Sequence, residues 1–264
     1  MNFINGSVGV LASVFFLGAP TPFDQAYSIQ LETPKPKVED LLTQGQALAE
    51  QGYYQGAIAI YNQAIEADPS YTEAYINRGL AHHDLGNFDQ AISDFTEALA
   101  IDPDSAEAYN ARGETRTHVE DVEGAIADLN QAVQLSPDFA QAYINRGVIY
   151  AVRADYEQAL ADFNLAVQAD PSSADAYYNR GQVHGAMDNP QAAFDDYNQA
   201  LQLNPSMAEA YGNRGLLVYR LGDRETALND LQQAAQLFLM QGDLGGYQQT
   251  LMLIEQIQQQ DELR

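Results

Sequence analysis

The stretch Tyr143-Ile144-Asn145-Arg146-Gly147 decides the fold of this chain, because its Tyr, Arg and Gly return together in a fixed register. The other copies begin at residues 75, 109, 177 and 211, so neighbouring copies are 34 residues apart. Prolines keep the same interval, at Pro69, Pro103, Pro137, Pro171 and Pro205. A period this strict indicates stacked copies of one small unit rather than a single globular core.

One unit, residues 72–105, has the pattern of two helices joined by a tight turn. Apolar residues return every three or four positions over 72–85 and again over 88–101, as one face of a helix requires. Gly86-Asn87 separates the two runs. Asp102-Pro103 ends the second run, because the residue before a proline avoids the helical conformation.

Small residues of the unit predict how its helices pack. Gly79 and Ala98 carry no bulky side chain, so the two helices can approach closely, while Tyr75 and Phe95 fill the space beside them. A single pair of helices cannot bury both of its faces. Neighbouring units must therefore stack, and three or more are needed for stability.

These recurring residues resemble the tetratricopeptide repeat. Counted from the first residue of each unit, that family has an aromatic residue at position 4, Gly at 8, Ala at 20, an aromatic residue or Leu at 24, Ala at 27 and Pro at 32, and the second to fifth units have all six features. The first unit departs at Leu41, and the sixth departs at Leu239, where Pro is expected. The resemblance covers six units, at residues 38–71, 72–105, 106–139, 140–173, 174–207 and 208–241.

The resemblance implies an all-α fold, a right-handed α-solenoid of helix-turn-helix repeats. Because Leu239 replaces the proline, we expect the last unit to run on into a C-terminal capping helix and tail, residues 242–264. An apolar stripe predicts its buried face, and glutamines predict its solvent face. The stripe consists of Leu244, Tyr247, Leu251, Ile254 and Ile257, and the glutamines are Gln248, Gln249, Gln256, Gln259 and Gln260.

An arginine and an aspartate recur together inside the repeats. The first unit has neither, since Gln44 and Ile60 stand at the two positions. Antiparallel helices bring positions 7 and 23 together, so we predict one structural ion pair per repeat, with the guanidinium gripping the carboxylate. The alternative is a ladder of arginines for an anionic ligand. The predicted pairs are Arg78–Asp94, Arg112–Asp128, Arg146–Asp162, Arg180–Asp196 and Arg214–Asp230.

The charge balance excludes several classes of partner. Lys and Arg number 12 against 37 Asp and Glu, for a net charge of −25. A nucleic-acid binder needs a basic stripe, and anionic membrane surfaces repel a chain of this charge. We expect cationic partners instead. The arginines outside the predicted pairs would be the array's free cations: Arg116, Arg153, Arg220, Arg224 and Arg264.

The N-terminus has the pattern of an export signal. Residues 8–19 are apolar and uncharged, too few to span a bilayer and suited to a signal-peptide core, and Ala26-Tyr27-Ser28 offers small residues to a signal peptidase. We therefore predict a signal peptide or anchor over residues 1–28, a Pro/Lys linker over 29–37, and a periplasmic or thylakoid-lumenal protein. An uncleaved anchor and a cytoplasmic protein remain alternatives, since residues 1–7 contain no Lys or Arg.

No pattern of catalysis is present in the sequence. The chain has no cysteine, no glycine-rich phosphate loop and no serine in a nucleophile elbow. His82 and His184 occupy position 11 and are expected to be packed residues. His83 and His118 could approach each other, but they lack the ligand spacing of a metal site. We predict no enzyme activity, no cofactor, no metal and no small-molecule substrate.

The resemblance places the first helix of each unit on a concave groove. There, asparagines at position 6 would hold the backbone of an extended peptide, because an amide both donates and accepts hydrogen bonds. The alternative is an Asn merely tolerated beside Arg. Predicted peptide-binding residues are Asn77, Asn145, Asn179 and Asn213, the acids Glu73, Glu107, Asp175 and Glu209 at position 2, and Tyr178.

Other groove positions predict the partner's chemistry. The family's Lys and Arg clamp for a C-terminal carboxylate is absent, and Ile76, Leu80, Ile144 and Val148 add apolar surface between the acids. We expect a basic or apolar segment of a protein. Two functions fit: an interaction scaffold, for example an assembly factor, or a structural subunit packed through its convex face or ends. The residues that recur in the repeats resemble those of bacterial arrays, notably cyanobacterial ones.

Overall fold

The structure, a computed structural model, describes residues 36–262, and within them it contains thirteen α-helices and no strand. None of these helices is both long enough and apolar enough to cross a membrane. The helices are α1 (Val38–Glu50), α2 (Tyr54–Ala67), α3 (Thr72–Asp84), α4 (Phe88–Ile101), α5 (Ala106–His118), α6 (Val122–Leu135), α7 (Ala140–Val152), α8 (Tyr156–Ala169), α9 (Ala174–Ala186), α10 (Pro190–Leu203), α11 (Ala208–Arg220), α12 (Arg224–Gln241) and α13 (Leu244–Glu262).

Helices pack in chain order, each against the next, as stacked helix-turn-helix units do. The most extensive packing is within a unit, for example between α7 and α8, and less extensive packing joins one unit to the next. The all-α solenoid predicted from the repeats is therefore confirmed. The predictions for residues 1–28 and for most of the linker lie outside the described residues, as does the end of the C-terminal tail.

Close helix crossings explain the invariant Gly at position 8. A Cβ atom added to Gly79 would lie 2.6 Å from Phe95 Cε1, and one added to Gly147 would lie 2.7 Å from Phe163 Cε1. Both distances are far below van der Waals contact, so only glycine allows the two helices of a unit to approach this closely. Phe95 and Phe163 are fully buried as a result.

The turn inside each unit places position 15 in the left-handed region of backbone conformation. Gly86 occupies this position in the second unit with φ 74°, but Glu120, Ala154 and Asp188 occupy it in the third, fourth and fifth units with φ 61°, 61° and 58°. Residues with a Cβ atom adopt this conformation at a cost. Three of the six turns therefore store strain that a glycine would remove.

The first helices of the units lie on the inner side of the stack. Each of them contacts the first helix of the next unit, in the series α1, α3, α5, α7, α9 and α11. In the described part of the chain, successive second helices make no comparable contact. The stack is therefore narrower on the side of the first helices, which makes that side concave.

The C-terminal end follows the prediction in outline and corrects it in detail. Without a proline at Leu239, α12 continues for 18 residues, against 14 in the second helices before it, and α13 then packs on it. Ile254 and Ile257 are buried, but Leu244 is 60% exposed and Leu251 36% exposed. The buried face of α13 consists of Thr250, Ile254 and Ile257. It is therefore rotated about the helix axis relative to the predicted stripe, which leaves out Thr250.

Candidate protein-binding face and the arginine ladder behind it

The five arginine–aspartate pairs lie at hydrogen-bonding distance in the structure. In the fourth unit, Arg146 donates through Nη2 to Asp162 Oδ1 at 2.6 Å and through Nε to Asp162 Oδ2 at 2.8 Å, a bidentate contact. This hydrogen bonding raises the pKa of Arg146, while partial burial opposes the change. The other pairs have the same geometry, with Nη2–Oδ1 distances of 2.6 Å for Arg78–Asp94, 2.7 Å for Arg112–Asp128, 2.6 Å for Arg180–Asp196 and 2.7 Å for Arg214–Asp230.

A third contact of each arginine was missed from the sequence. Arg146 Nη1 donates to Asn130 Oδ1 of the preceding unit at 2.6 Å, and its guanidinium carbon lies 5.7 Å from the centre of the Tyr143 ring. Position 25 supplies the acceptor each time, so a second ladder runs through the array. Its members are Asn62, Thr96, Asn130, Asn164 and Asn198.

The arginine ladder lacks a member in the first unit, and the ladder of acceptors at position 25 lacks its asparagine in the sixth unit. The first unit has Gln44 in place of the arginine, and within residues 36–262 no unit precedes it. The sixth unit has Gln232 in place of the asparagine, and within residues 36–262 no later unit follows to supply an arginine. Each arginine thus joins its own tyrosine and aspartate to the preceding unit. Three donor nitrogens of Arg146 have acceptors within the chain, which favours the structural interpretation over a ladder for an anionic ligand.

Most of the cations expected to be free also have partners. Arg116 Nη1 lies 2.7 Å from Asp128 Oδ2, so Asp128 holds two guanidinium groups. Arg153 lies 3.0 Å from Glu123, and Arg220 lies 3.7 Å from Asp188. The expectation of free cations at these positions was wrong. The acidic excess of the array therefore has even less positive charge available to offset it.

The histidines lie against neighbouring side chains, and His83 Nδ1 is 2.9 Å from Thr115 Oγ1 of the next unit. Burial lowers the pKa of His82 and of His184, and no hydrogen-bond partner meets their Nδ1 atoms in the described structure. His83 and His118 do meet, with ring centres 5.0 Å apart, and Phe88 stacks on His118 at 4.6 Å. In residues 36–262 no group of three or more possible metal ligands comes together.

Hollows along the concave side lie between successive first helices. Four of them are formed by equivalent positions of neighbouring units, and the one between α5 and α7 has a volume of about 440 Å³. Each hollow is bordered by one of the asparagines at position 6, which are Asn77, Asn145, Asn179 and Asn213. The predicted asparagine ladder therefore lies on the concave face.

Three of these asparagines have partners within the chain. Asn145 donates to Asn110 Oδ1 at 3.0 Å, Asn179 donates to the Asp175 carbonyl oxygen at 2.8 Å, and Asn213 donates to the Tyr178 hydroxyl at 3.1 Å. Asn77 has no side-chain hydrogen bond within the described residues. Binding a peptide backbone would thus require three of the four amides to exchange an internal hydrogen bond for an external one.

Tyr178 is more enclosed than the sequence suggested. It is half-buried between the fifth and sixth units, its ring lies 6.1 Å from that of Tyr197, and burial raises the pKa of its hydroxyl. The apolar residues predicted to line the groove differ in their exposure. Ile76 and Ile144 are buried, whereas Val148 is exposed together with Leu80.

Val148 and Val152 form an apolar centre of the concave side, on the fourth unit. Val152, the more exposed of the two, was not predicted from the sequence. Val152 is 83% exposed, and it borders two adjacent hollows together with Val148. Position 13 is polar in four of the other units and a small alanine in the fifth, so a larger apolar residue there was the available signal. Position 2 changes in the same unit, where Gln141 replaces the acid.

Exposed acids surround this centre. All five acids at position 2 are exposed, and none of them forms an ion pair within the part of the chain that the structure describes. They lie one per unit at the start of the first helices. They are Glu39, Glu73, Glu107, Asp175 and Glu209. The concave side therefore combines unpaired negative charge with a central apolar surface.

Stacked helix pairs with a concave first-helix face define the class of protein-interaction scaffolds. Family profiles described as "Tetratricopeptide repeat" match residues 42–106, 76–138 and 174–207, and one described as "TPR repeat" matches residues 153–188. The chain belongs to the tetratricopeptide repeat family. Comparison with curated protein sequences gives no match.

Solved structures with the same fold include arrays of several sizes. A chain of the APC/C hetero-tetramer Cut9-Hcn1 superposes with TM-score 0.75 at 18% identity, covering 86% of this chain, which spans 44% of that chain. The type IV pilus biogenesis factor PilW has TM-score 0.70 at 20% identity, with coverage of 81% and 98%. YrrB, described as a TPR protein with an unusual peptide-binding site, has TM-score 0.50 at 24% identity, with coverage of 66% and 90%.

Proposed function

We propose that this array is a non-enzymatic scaffold that holds an extended segment of a partner protein along its concave side. The observation that carries the proposal is the row of hollows between the first helices, flanked by exposed acids that have no internal cation. Unpaired charge at a surface is free to attract an opposite charge on a partner. Asn77 offers its amide to the backbone of such a segment, and Asn145, Asn179 and Asn213 border the other hollows.

The partner segment that fits this side is basic at its ends and apolar in the middle. Glu107 and Asp175 lie on the units on either side of Gln141, so the negative charge is interrupted where Val148 and Val152 are exposed. An aliphatic side chain would bury these valines, which a charged one would not. Lysine or arginine residues on either side would then meet Glu107 and Asp175.

A pair of synthetic peptides of about ten residues tests this preference. One carries a central leucine between lysines, and the other has glutamates in place of the lysines. We expect the lysine peptide to bind about tenfold more tightly or better in fluorescence anisotropy, and its affinity to fall with added salt. Equal affinity for the two peptides would contradict the charge preference.

Two sets of variants locate the binding side. The double variant Glu107→Gln and Asp175→Asn should weaken the lysine peptide and flatten its salt dependence. The control Glu97→Gln and Glu157→Gln removes the same charge from α4 and α8, second helices in which both glutamates are exposed. If both double variants bind the peptide as the parent does, the concave side is not the binding surface. A subunit packed through its convex side or its ends would then replace the proposal.

An assembly role outside the cytoplasm extends this proposal. The fold accommodates such a role, since PilW is a biogenesis factor built on it. We propose that residues 1–28 direct export and are removed, which would place the array in the periplasm or the thylakoid lumen.

A further inference from the structure

The C-terminal end of the array carries an exposed apolar patch, which we define as Leu239, Met240, Leu244, Leu251 and Met252. The side chains of Met240 and Met252 are 75% and 60% exposed, and Leu239 and Leu244 are 50% and 60% exposed. Leu244, Leu251 and Met252 are spaced by seven and eight residues and so lie on one side of α13. Leu239 and Met240 end α12, immediately before the turn into α13.

Packing of the array does not account for this patch. The side of α13 that covers the sixth unit is occupied by Ile254 and Ile257, which pack with Leu231. Many of the exposed apolar residues elsewhere recur at fixed repeat positions, such as Leu85 and Leu221 after the first helix, and Val152 belongs to the concave side. The C-terminal patch begins where Leu239 departs from the repeat pattern, and it gathers five such residues within a 14-residue stretch. Concentrated apolar surface of this kind marks an interaction site.

Charged residues are sparse from the second half of α12 through residue 260, and they return at Asp261, Glu262 and Arg264. Only Asp243 and Glu255 are charged between residues 231 and 260, in a chain of net charge −25. Asp243 is engaged at the start of α13, where its Oδ1 accepts a hydrogen bond from the Gly246 backbone N–H. Two copies of so acidic a chain repel each other over most of their surface. Among the residues that the structure describes, the stretch 231–260 is where this repulsion is weakest.

We propose that this patch binds a second copy of the same chain, with α13 of one protomer packed on α13 of the other about a two-fold axis. A two-fold interface sets a surface against itself, so each group must be complementary to its own copy. Leucine, methionine and glutamine meet this condition, since apolar groups pack together and an amide both donates and accepts. An acidic surface does not meet it. The contact lies at one end of the array and leaves both concave sides open.

Sedimentation equilibrium of the full chain over about 1 to 200 μM tests the proposal. We expect a monomer–dimer equilibrium that shifts toward dimer as sodium chloride rises from about 0.05 to about 0.5 M, because salt screens the repulsion between acidic protomers. The double variant Met240→Glu and Met252→Glu should raise the dissociation constant tenfold or more. At a concentration where the parent is monomeric, its melting temperature should stay that of the parent, because both side chains are exposed.

The matched control is Val152→Glu, an exposed apolar residue on α7 that should leave the dimer unchanged. A parent chain that remains monomeric over the whole concentration and salt range would overturn the proposal, and would favour a different protein as the occupant. An oligomer that resists the double methionine variant would also overturn it, since another surface would then hold the copies together.

Discussion

Arginine at position 7 acts on three elements at once. Arg146 holds Asp162 within its own unit, lies against the Tyr143 ring and reaches Asn130 of the unit before. The side chain of Asp162 is 5% exposed, so its charge depends on this one partner for compensation. An arginine lost from such a site leaves a buried carboxylate unpaired, which costs more than the pair contributes.

We expect Arg146→Leu to lower the free energy of unfolding by about 1–4 kcal/mol, because Asp162 remains buried without its cation. Adding Asp162→Ile, which imitates Ile60 of the first unit, should restore most of the loss. Urea denaturation monitored by circular dichroism measures both. Arg153→Leu serves as the control, because that pair is 45% and 84% exposed and should contribute little. A double variant no more stable than the single one would contradict the structural role of the pair.

The turn at Ala154 offers an independent test at the same scale. Its φ of 61° disfavours a residue with a Cβ atom, so Ala154→Gly should raise the free energy of unfolding by about 0.5–1 kcal/mol. Ala161→Gly is the control, since Ala161 is exposed within α8 and its replacement should destabilise by about 1 kcal/mol. Thermal melts of the two variants should therefore move in opposite directions.

At the scale of single helices, the residue that follows each second helix determines its length. Proline at position 32 follows the second helix in five units, and each of these helices stops two residues before it, as α10 does at Leu203 before Pro205. The sixth unit lacks the proline, so α12 continues to Gln241 and ends at Gly242, whose φ is 79°. The longer helix supplies the surface on which α13 packs.

The two sides of α13 should respond differently to truncation. Ile257 is 3% exposed, so Ile257→Ala should cost about 2–4 kcal/mol through lost burial and the cavity that it leaves. Leu244→Ala removes a side chain that is 60% exposed and should change stability by less than about 0.5 kcal/mol. Equal losses in the two variants, measured by urea denaturation, would show that the helix packs through the face predicted from its sequence alone.

For the whole molecule, the arrangement of units separates two kinds of surface. The concave side carries unpaired acids around Val148 and Val152, and the C-terminal end carries an apolar patch with little charge. Long-range repulsion from a net charge of −25 keeps most of the surface away from other acidic molecules. Under the two proposals above, these surfaces would bind different partners and could be occupied together.

Export is a property of the whole chain and can be tested on native material. If residues 1–28 are a cleaved signal, the mature protein begins at Ile29, and intact mass spectrometry should find that mass. A protein that retains Met1 or Asn2 would reject cleavage. Membrane fractionation of the same material then distinguishes an uncleaved anchor from a protein without one.

The 34-residue period predicted most of the fold, and it also predicted which arginine pairs with which aspartate. The fold follows from local rules, because helix periodicity, glycine turns and prolines act within a few residues. The ion pairs join two helices of one unit, so predicting them requires only the spacing between positions 7 and 23. The concave placement of the asparagines came from the family resemblance. The sequence did not reveal that three of those amides have partners inside the chain.

By itself, then, the sequence determined the number, order and internal pairing of the units, because each unit repeats the same short-range choices. Tertiary structure decided what depends on distances between units. It added Asn130 to the partners of Arg146, joined Asn145 to Asn110 and directed Asn213 onto the Tyr178 hydroxyl. It also turned Leu244 outward, because the buried side of α13 is selected by the shape of α12 beneath it. A side chain's partner across a junction depends on how two helices cross, and helix crossing is a property of the packed array.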